Sequence, residues 1–162
     1  MTRWLDEDEL RAWLRLAGVM LKLSPALDSQ LQRDSDLTHF DYLCLAMLSE
    51  SEGRTLRMSE LAQSANATLS RLSHVVSKLE RRGWVARTPS PHSRRVTLVT
   101  LTEEGWRVLV KAAPGHVETV HSLVFEGLSP EDVAALERVA GHIVARIEAS
   151  HLRTTTRDSL SG

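Results

Sequence analysis

The stretch Ala67–Gly83, ATLSRLSHVVSKLERRG, decides the fold of this 162-residue chain. Its apolar side chains recur at spacings of three and four residues, which aligns them on one face of an α-helix: they are Leu69, Leu72, Val76 and Leu79. Thr68 or Asn66 can cap the first turn, and Gly83 can end the helix in the left-handed conformation. The other face carries cations and hydrogen-bond donors, namely Ser70, Arg71, His74, Lys78, Arg81 and Arg82. We predict one amphipathic helix with a basic side.

The segment before this helix has the pattern of a helix-turn-helix. Met58–Ala62 begins a short helix that Ser59 should cap, and residues 65–67 form a tight turn ahead of the long helix. In this arrangement the second helix enters the major groove of DNA, and its N-terminal half reaches the base edges. We therefore interpret Ala67–Gly83 as a recognition helix. The competing interpretation of its basic face is an ordinary solvated surface.

The segment after the helix predicts a β-hairpin. Residues 84–87 and 96–101 are rich in β-branched and apolar side chains, and they flank a polar loop, 88–95, that is basic at its tip. Leu56–Met58 should add a short edge strand to this hairpin. A hairpin in this position is a wing, so the connected segments predict a winged helix-turn-helix.

The basic charge of the chain is concentrated in this motif. The net charge is −1, from 20 Lys and Arg against 21 Asp and Glu. Residues 54–95, however, hold nine basic and two acidic side chains, a net of +7, and the rest of the chain has a net of −8. A basic module inside an acidic frame is typical of a localised contact with phosphates.

The composition argues against several other classes of protein. No apolar run approaches the roughly 18 residues of a membrane span, and the acidic start MTRWLDEDEL does not read as a signal peptide. The single cysteine, Cys44, allows no internal disulfide and fits a reducing cytoplasm. There is no glycine-rich phosphate loop, and the histidines never take a His-x-x-x-His spacing. We expect a cytoplasmic protein without a cofactor or a metal, and not an enzyme.

Helical patterns flank the motif on both sides. Residues 5–31 are apolar on nearly two faces, and Pro25 should kink that helix or end it locally. A capping box that begins at Thr38 should open a second helix, which runs to about Glu50. A helix that is apolar on two faces needs two partners, its own core and a second subunit.

Two more helices should follow the wing. Thr102 can cap the first of them, and Pro114-Gly115 should interrupt it by a kink or a one-residue break. Ser129 is followed by a proline and two acids, which is a strong signal for the start of the last helix. That helix should end near Ser150.

These patterns predict a mainly α, α+β winged-helix fold. The winged module should span 37–105, between an N-terminal helix at 1–36 and C-terminal helices at 106–150, with a polar, disordered tail at 151–162. Both flanks carry more apolar surface than one chain can cover. We expect them to form a helical dimerisation region in a homodimer.

The winged motif and its continuation read LRMSELAQSAN, RLSHVVSKLERRGWVAR and SPHSRRVTLVTLTEEG. In these runs the chain resembles the MarR (multiple antibiotic resistance regulator) family of bacterial winged-helix transcription factors. The resemblance implies a homodimer on a pseudo-palindromic operator in double-stranded DNA, usually repressing transcription. It also implies release by a small phenolic or lipophilic ligand, which the family usually binds in the crevice between the dimerisation helices and the winged module.

The wing departs from the pattern of that family. Such wings usually read Asp-Pro-x-Asp-Arg-Arg, in which the second Asp braces the arginine at the tip. Here both acids are serine, in the run Ser90-Pro91-His92-Ser93-Arg94-Arg95. Arg95 matches the tip arginine but lacks its charged brace, so the departure predicts a minor-groove contact that is less pre-organised.

The predicted DNA contacts differ in role. Arg71 is the best candidate for a bidentate guanine contact, and His74 lies near it in the half of the helix that reaches base edges. Lys78 and Arg57 should clamp phosphates. The full set of predicted contacts is Arg57, Ser59, Thr68, Ser70, Arg71, His74, Lys78, Arg94 and Arg95.

Three further side chains are candidates for the ligand crevice. They are Trp13, Tyr42 and Met47, although Trp13 also fits a packing role. Cys44 lies mid-helix on an apolar stripe, which favours a core position over oxidation sensing, because sensing requires a thiolate.

Two alternatives to a ligand-responsive DNA-binding regulator stay open. One is a winged-helix protein-interaction module whose basic face meets an acidic partner, and the other is a redox-responsive regulator that uses Cys44. Salt-dependent, sequence-selective DNA binding discriminates the first alternative, because an interaction module should bind DNA weakly and without regard to sequence.

Overall fold

The structure is a computed structural model that describes the backbone of residues 2–158 and the side chains of residues 2–150. By its internal contacts the chain divides into two compact units, one up to Val120 and one from His121. Among the described residues, the first unit holds five α-helices and a three-stranded antiparallel sheet, and the second holds the C-terminal helix. The fold is therefore mainly α with a small sheet, as predicted.

Helix α1 spans Glu7–Ser35 and extends further than its apolar pattern predicted. Its start is a capping box: the Asp6 side chain accepts the Glu9 N–H at 2.8 Å, and the Glu9 side chain accepts the Asp6 N–H at 3.0 Å. The helix ends at Asp36, which takes the left-handed conformation with φ of 52°. The segment 32–35, which lies beyond the predicted helical pattern of residues 5–31, is thus the last turn of α1.

Neither internal proline ends its helix, so the predicted end at Pro25 and the predicted break at Pro114-Gly115 are wrong, whereas a kink at either position stays a prediction. Helix α1 continues through Pro25, and helix α5, Glu103–Val120, continues through Pro114. A proline leaves the carbonyl four residues earlier without its N–H donor. Those carbonyls belong to Leu21 and Val110, which are 76% and 50% exposed, so water can satisfy them.

Helix α2 spans His39–Glu50 and begins with the predicted capping box. Thr38 Oγ1 accepts the Asp41 N–H at 3.1 Å, and Asp41 Oδ2 accepts the Thr38 N–H at 2.9 Å. The helix is set deeply in the first unit, and its buried side chains are Asp41, Tyr42, Cys44, Leu45 and Leu48.

The helix-turn-helix consists of α3, Met58–Ser64, and α4, Leu69–Arg81. Thr68 caps α4 by accepting the Arg71 N–H at 3.2 Å. The predicted cap at Ser59 is wrong, since Ser59 lies inside the first turn of α3. The residue before α3 is Arg57, and its backbone N–H donates to the side chain of Glu60 at 2.9 Å.

The sheet has the strand order β1-β3-β2, with β1 at Thr55–Arg57, β2 at Val85–Ser90 and β3 at Ser93–Leu101. The edge strand thus starts one residue earlier than predicted. Most of the predicted loop 88–95 is strand, and only Pro91-His92 form the turn. Polar side chains are typical of loops. An antiparallel hairpin that projects from the core can be solvated on both faces, however, so its strands can be polar as well.

The core of the first unit lies where α2, α3 and α4 meet the sheet. Leu69 was predicted to join the apolar stripe of α4 but is 56% exposed, because the first turn of the helix extends past the edge of the core. The fully buried large side chains include Leu31, Leu37, Leu45, Leu48, Leu61, Leu72, Val76, Leu79 and Val99.

The joint between the wing and α5 requires a glycine. Thr102 donates its N–H to the Trp84 carbonyl at 3.0 Å, and its hydroxyl donates to the Gly83 carbonyl at 2.7 Å and accepts the Gly105 N–H at 3.0 Å. A Cβ atom at Gly105 would lie 2.1 Å from the Trp84 carbonyl oxygen. Any other residue would therefore force the start of α5 away from the wing.

The second unit consists of a π-helical turn, His121–Phe125, and helix α6, Pro130–Asp158. Ser129 caps α6, as predicted, by accepting the Asp132 N–H at 3.2 Å. The helix continues beyond the predicted end near Ser150, so residues 151–158 of the expected tail are helical, and residues 159–162 lie outside the described residues. None of the described side chains of α6 is buried.

No helix in the described part of the chain is both long and apolar enough to span a membrane.

Replacement of Leu72 by alanine should lower the free energy of unfolding by about 2–5 kcal/mol, because it removes a fully buried side chain and leaves a cavity. Leu69→Ala, on the same helix but 56% exposed, is the matched control and should change it by about 0.5 kcal/mol or less. Urea unfolding followed by circular dichroism measures both. Equal losses for the two variants would contradict the assignment of the core face.

Candidate nucleic-acid interface

The N-terminal half of α4 presents four of the predicted DNA contacts to solvent. Thr68, Ser70, Arg71 and His74 are all exposed, whereas Leu72, Val76 and Leu79 on the other side of the helix are buried. Position 74 lies four residues after 70 and three after 71, so His74 shares a helix face with both Ser70 and Arg71. This face has the donors and the orientation that a recognition helix requires.

Arg71 is held in a defined position on the surface. Its guanidinium carbon lies 4.4 Å from the centre of the Phe40 ring in α2. Stacking of this kind occupies the face of the guanidinium plane and leaves its N–H edges open. The side chain makes no hydrogen bond within the described part of the chain, so its donors are available to a base edge or a phosphate.

Lys78 is paired with a carboxylate within the protein, and its role as a phosphate clamp stays a prediction. Its Nζ lies 2.5 Å from Oδ2 of Asp41, a residue with no exposed surface, while the Lys78 side chain is 38% exposed. A buried carboxylate is costly unless a cation pairs with it. Lys78 therefore serves first as the counter-ion of Asp41.

Arg82 is also engaged within the protein. Its guanidinium lies 3.8 Å from the centre of the Trp84 ring and donates to Asp36 twice, to the carbonyl and to a carboxylate oxygen, both at 2.7 Å. These contacts connect the end of α4 to the end of α1.

The pair Glu80–Arg87 connects the recognition helix to the wing. Arg87 donates its backbone N–H, Nε–H and Nη2–H to the Glu80 carboxylate at 3.1, 2.9 and 2.6 Å. Hydrogen bonds from Arg87 lower the pKa of Glu80. A three-bond contact of this kind restricts the angle between β2 and α4.

The two serines in the wing brace its backbone. Ser90 Oγ accepts the His92 N–H, and Ser93 Oγ accepts the Arg95 N–H, each at 3.3 Å. Arg94 and Arg95 are both exposed near the turn. They lie where the register between β2 and β3 shifts, between the pairs Pro89–Thr97 and Ser90–Ser93, and such a bulge interrupts the regular alternation of side chains along a strand.

The two remaining predicted contacts lie at the start of α3. Arg57 is close to Glu60, with Nε 3.7 Å from a carboxylate oxygen, and its side chain is 60% exposed. Ser59 is exposed in the first turn. Both side chains are accessible from solvent at the start of the helix-turn-helix.

The three ligand candidates lie in different environments. Tyr42 is buried in α2, Met47 is half-buried on the same helix, and Trp13 is 49% exposed on α1. Within the described residues no hydrogen bond or ring contact joins Trp13 to either of the others. A common crevice formed by the three side chains therefore stays a prediction.

A buried polar cluster lies where α1, α2 and α5 meet. The ring of His116 is 4.2 Å from the ring of Tyr42 and 5.5 Å from the ring of His39, centre to centre. His116 Nδ1 and Gln30 Oε1 are buried and have no hydrogen-bond partner among the described residues. Burial lowers the pKa of His116, and the neighbouring His39 lowers it further. Burial also lowers the pKa of His39, which the Asp28 carboxylate partly offsets.

These shifts predict acid destabilisation. Since the folded-state pKa of His116 is below its usual value of 6.5, the unfolded chain binds more protons once the pH falls below about 6.5. Stability is therefore present above that pH and is lost as the pH falls through the folded-state pKa. His116→Gln should flatten the dependence of unfolding free energy on pH between about pH 7 and pH 5. His92→Gln in the exposed turn is the matched control, and identical pH profiles for the two variants would contradict the assignment.

Cys44 occupies the core. It is fully buried, and burial, assisted by the Asp41 carboxylate, raises the pKa of its thiol to about 12. A thiol in this environment is protonated and unreactive at neutral pH. This observation favours the packing role over the redox alternative.

The sequence did not predict the residues that position the side chains of α4. Phe40, Asp41 and Arg87 hold side chains of α4 although none was predicted to belong to the site. One signal was available: residues 71 and 78 are seven positions apart on the basic face, so a single neighbouring helix can contact both. No group of three or more His, Cys, Asp or Glu side chains within the described residues is placed to hold a metal ion.

The fold and the exposed basic face define a winged helix-turn-helix protein. The MarR family profile matches residues 37–97. A MarR family transcriptional regulator of Streptomyces coelicolor, Sco3205, crystallised in complex with DNA, is 43% identical with a TM-score of 0.85, over 90% of each chain. The transcriptional repressor Rv2887 of Mycobacterium tuberculosis is 37% identical over 103 residues, 64% of this chain and 72% of that protein.

The transcriptional repressor MprA of Escherichia coli is 26% identical over 107 residues, so the match spans 66% of this chain and only 60% of that relative. The chain belongs to the MarR family of transcriptional regulators. Proteins of this family are regulators and not enzymes, in agreement with the prediction from the sequence.

Proposed function

We propose that this protein is a sequence-specific DNA-binding repressor that acts as a homodimer on a pseudo-palindromic operator. The observation that carries the proposal is the exposed N-terminal half of α4, on a segment with a net charge of +7 and beside a basic wing. The similarity to a DNA-bound regulator, Sco3205, supports the same mode of binding. Such a protein acts where the chromosome is, in the cytoplasm.

The proposed contacts follow the accessible side chains. Arg71 and His74 would read base edges from the major groove, and Thr68 and Ser70 would contact the neighbouring backbone or bases. Arg57 and Ser59 would meet phosphates at the start of α3. Either Arg94 or Arg95 would enter the minor groove, where negative potential attracts arginine.

The homodimer is proposed because two helices expose large apolar faces. In α1 the exposed side chains are Leu10, Trp13, Leu14, Leu16, Val19, Met20 and Leu21, and in α6 they are Val133, Leu136, Val139, Val144 and Ile147. Contiguous apolar surface of this extent is unusual for a monomer and is typical of a subunit interface. A second copy also supplies the two-fold symmetry that a pseudo-palindromic operator needs.

We propose further that a small phenolic or lipophilic ligand releases the protein from its operator. Two buried polar atoms, Gln30 Oε1 and His116 Nδ1, have no partner among the described residues, and the His116 ring lies beside that of Tyr42. A ligand with a polar group could satisfy them. Tyr42 and Met47 on α2 would contact its apolar part, and Trp13 would do so only after α1 is covered by the second subunit.

Selection from a pool of random-sequence duplexes tests the proposed function and identifies the operator sequence in the same experiment. The protein should enrich one sequence with two inverted half-sites about one helical turn apart. Weak binding that enriches no sequence would instead favour the protein-interaction alternative.

Arg71→Ala should weaken binding to the selected duplex by about 1–3 kcal/mol and relax the preference at one base pair of each half-site. The reason is that Arg71 is the exposed arginine with free N–H edges on the reading face. Lys111→Ala, an exposed cation outside 54–95, is the matched control for loss of one charge. Fluorescence anisotropy on selected and scrambled duplexes measures both, and an equal loss on the two duplexes would exclude base readout by Arg71.

Light scattering should give a mass twice the 18.1 kDa of one chain at micromolar concentration. Val139→Glu, which puts a charge on the apolar face of α6, should shift the protein towards monomer, because an unpaired charge is costly in an apolar interface. Arg138→Glu, on the opposite face of the same helix, should leave the mass unchanged. A folded wild-type monomer at that concentration would refute the dimer.

A further inference from the structure

The first turn of α2 holds the recognition helix at two points. The ring of Phe40 lies under the Arg71 guanidinium at 4.4 Å, and Oδ2 of Asp41 lies 2.5 Å from Lys78 Nζ. Phe40 and Asp41 are consecutive residues, and their partners are seven positions apart, on one face of α4. Two contacts separated by two helical turns restrict both the rotation and the tilt of α4.

Asp41 is well placed to fix the rotation of α4 about its own axis. It has no exposed surface, and its Oδ2 accepts both the Thr38 N–H at 2.9 Å and the Lys78 ammonium. Its Oδ1 has no partner among the described residues. The apolar contacts of α4 in the core tolerate small rotations, because burial depends on area and has no preferred angle. A hydrogen-bonded ion pair depends on distance and angle, so it selects one rotation.

We propose that Asp41 is a positioning residue for base readout, because it fixes the rotation of α4 through Lys78 and keeps that lysine away from DNA phosphates. The inference rests on the proposed function, since it assumes that α4 reads bases. It assigns Lys78 a role opposite to that of a phosphate clamp. The two roles differ in their effect on the salt dependence of binding.

Asp41→Asn is the first test, because asparagine keeps the shape and can still accept the Thr38 N–H. The variant should discriminate the selected duplex from a scrambled one about tenfold less than the wild type, which corresponds to one lost base contact. Binding to the scrambled duplex should not weaken. Its salt slope should steepen by about one, because the released Lys78 reaches a phosphate and displaces one more counter-ion.

Lys78→Met is the second variant, and it leaves the capping box of α2 intact. It should also lose discrimination, but the salt slope on the scrambled duplex should equal that of the wild type. Adding Lys78→Met to Asp41→Asn should return the steepened slope to the wild-type value. Circular dichroism at the temperature of the assay establishes whether each variant is folded. If Asp41→Asn is unfolded, Lys78→Met alone tests the inference.

Three results would overturn the inference. A slope that flattens by about one in Lys78→Met would make Lys78 a phosphate clamp. Undiminished discrimination in either folded variant would show that the pair does not position α4. Equal weakening of binding to both duplexes would show that the Asp41–Lys78 pair contributes only to general stability. Failure of the wild type to select any sequence would instead reject the proposed function.

Discussion

A carboxylate without solvent contact is the constraint on which the winged module depends. Removing a charge from water costs several kcal/mol unless a cation and hydrogen-bond donors replace the solvent. Asp41 finds both, in the Lys78 ammonium and the Thr38 N–H. The start of α2 must therefore stay beside the second half of α4. The leucines of the core hold the elements together, but this pair decides their relative orientation.

Several basic residues of the winged module are paired within the protein. Lys78, Arg82 and Arg87 are paired with Asp41, Asp36 and Glu80. Arg54 is similarly engaged, by Glu103 at 2.9 Å and by the Trp106 ring at 4.3 Å. All of them contribute to the long-range field, but their short-range donors are already used. The net charge of residues 54–95 therefore overstates the number of cations that can touch a phosphate.

Local rules account for what the sequence predicted well. The caps at Thr38, Thr68, Thr102 and Ser129 depend only on a side chain and an N–H three residues later, so they can be recognised from a few consecutive residues. The exposed half of α4 likewise follows from helical periodicity. Solvent access to the carbonyls before the two prolines, and the extent of the core beside Leu69, are properties of the assembled fold and could not be read locally.

The same distinction explains which contacts at the site the sequence did not predict. Lys78 and Asp41 are 37 positions apart, and a basic residue on a polar face carries no mark of an internal partner. The wing was predicted as a loop because its polar residues are typical of loops, although the hairpin ladder continues to Ser90 and Ser93. The exact pairing of distant charges is thus the least predictable part of this structure.

The absence of a side chain at Gly105 has a mechanical consequence. Because a Cβ atom at this position would overlap the Trp84 carbonyl, the start of α5 packs backbone against backbone on the beginning of the wing, with no side chain between them to absorb a displacement. The Trp84 ring in turn carries Arg82, the residue that follows α4. Helix α5 has 18 residues and is about 27 Å long, so a shift of about 2 Å at its far end corresponds to a tilt of about 4° at this joint. A displacement at the far end of α5 would thus reach the end of the recognition helix through this joint.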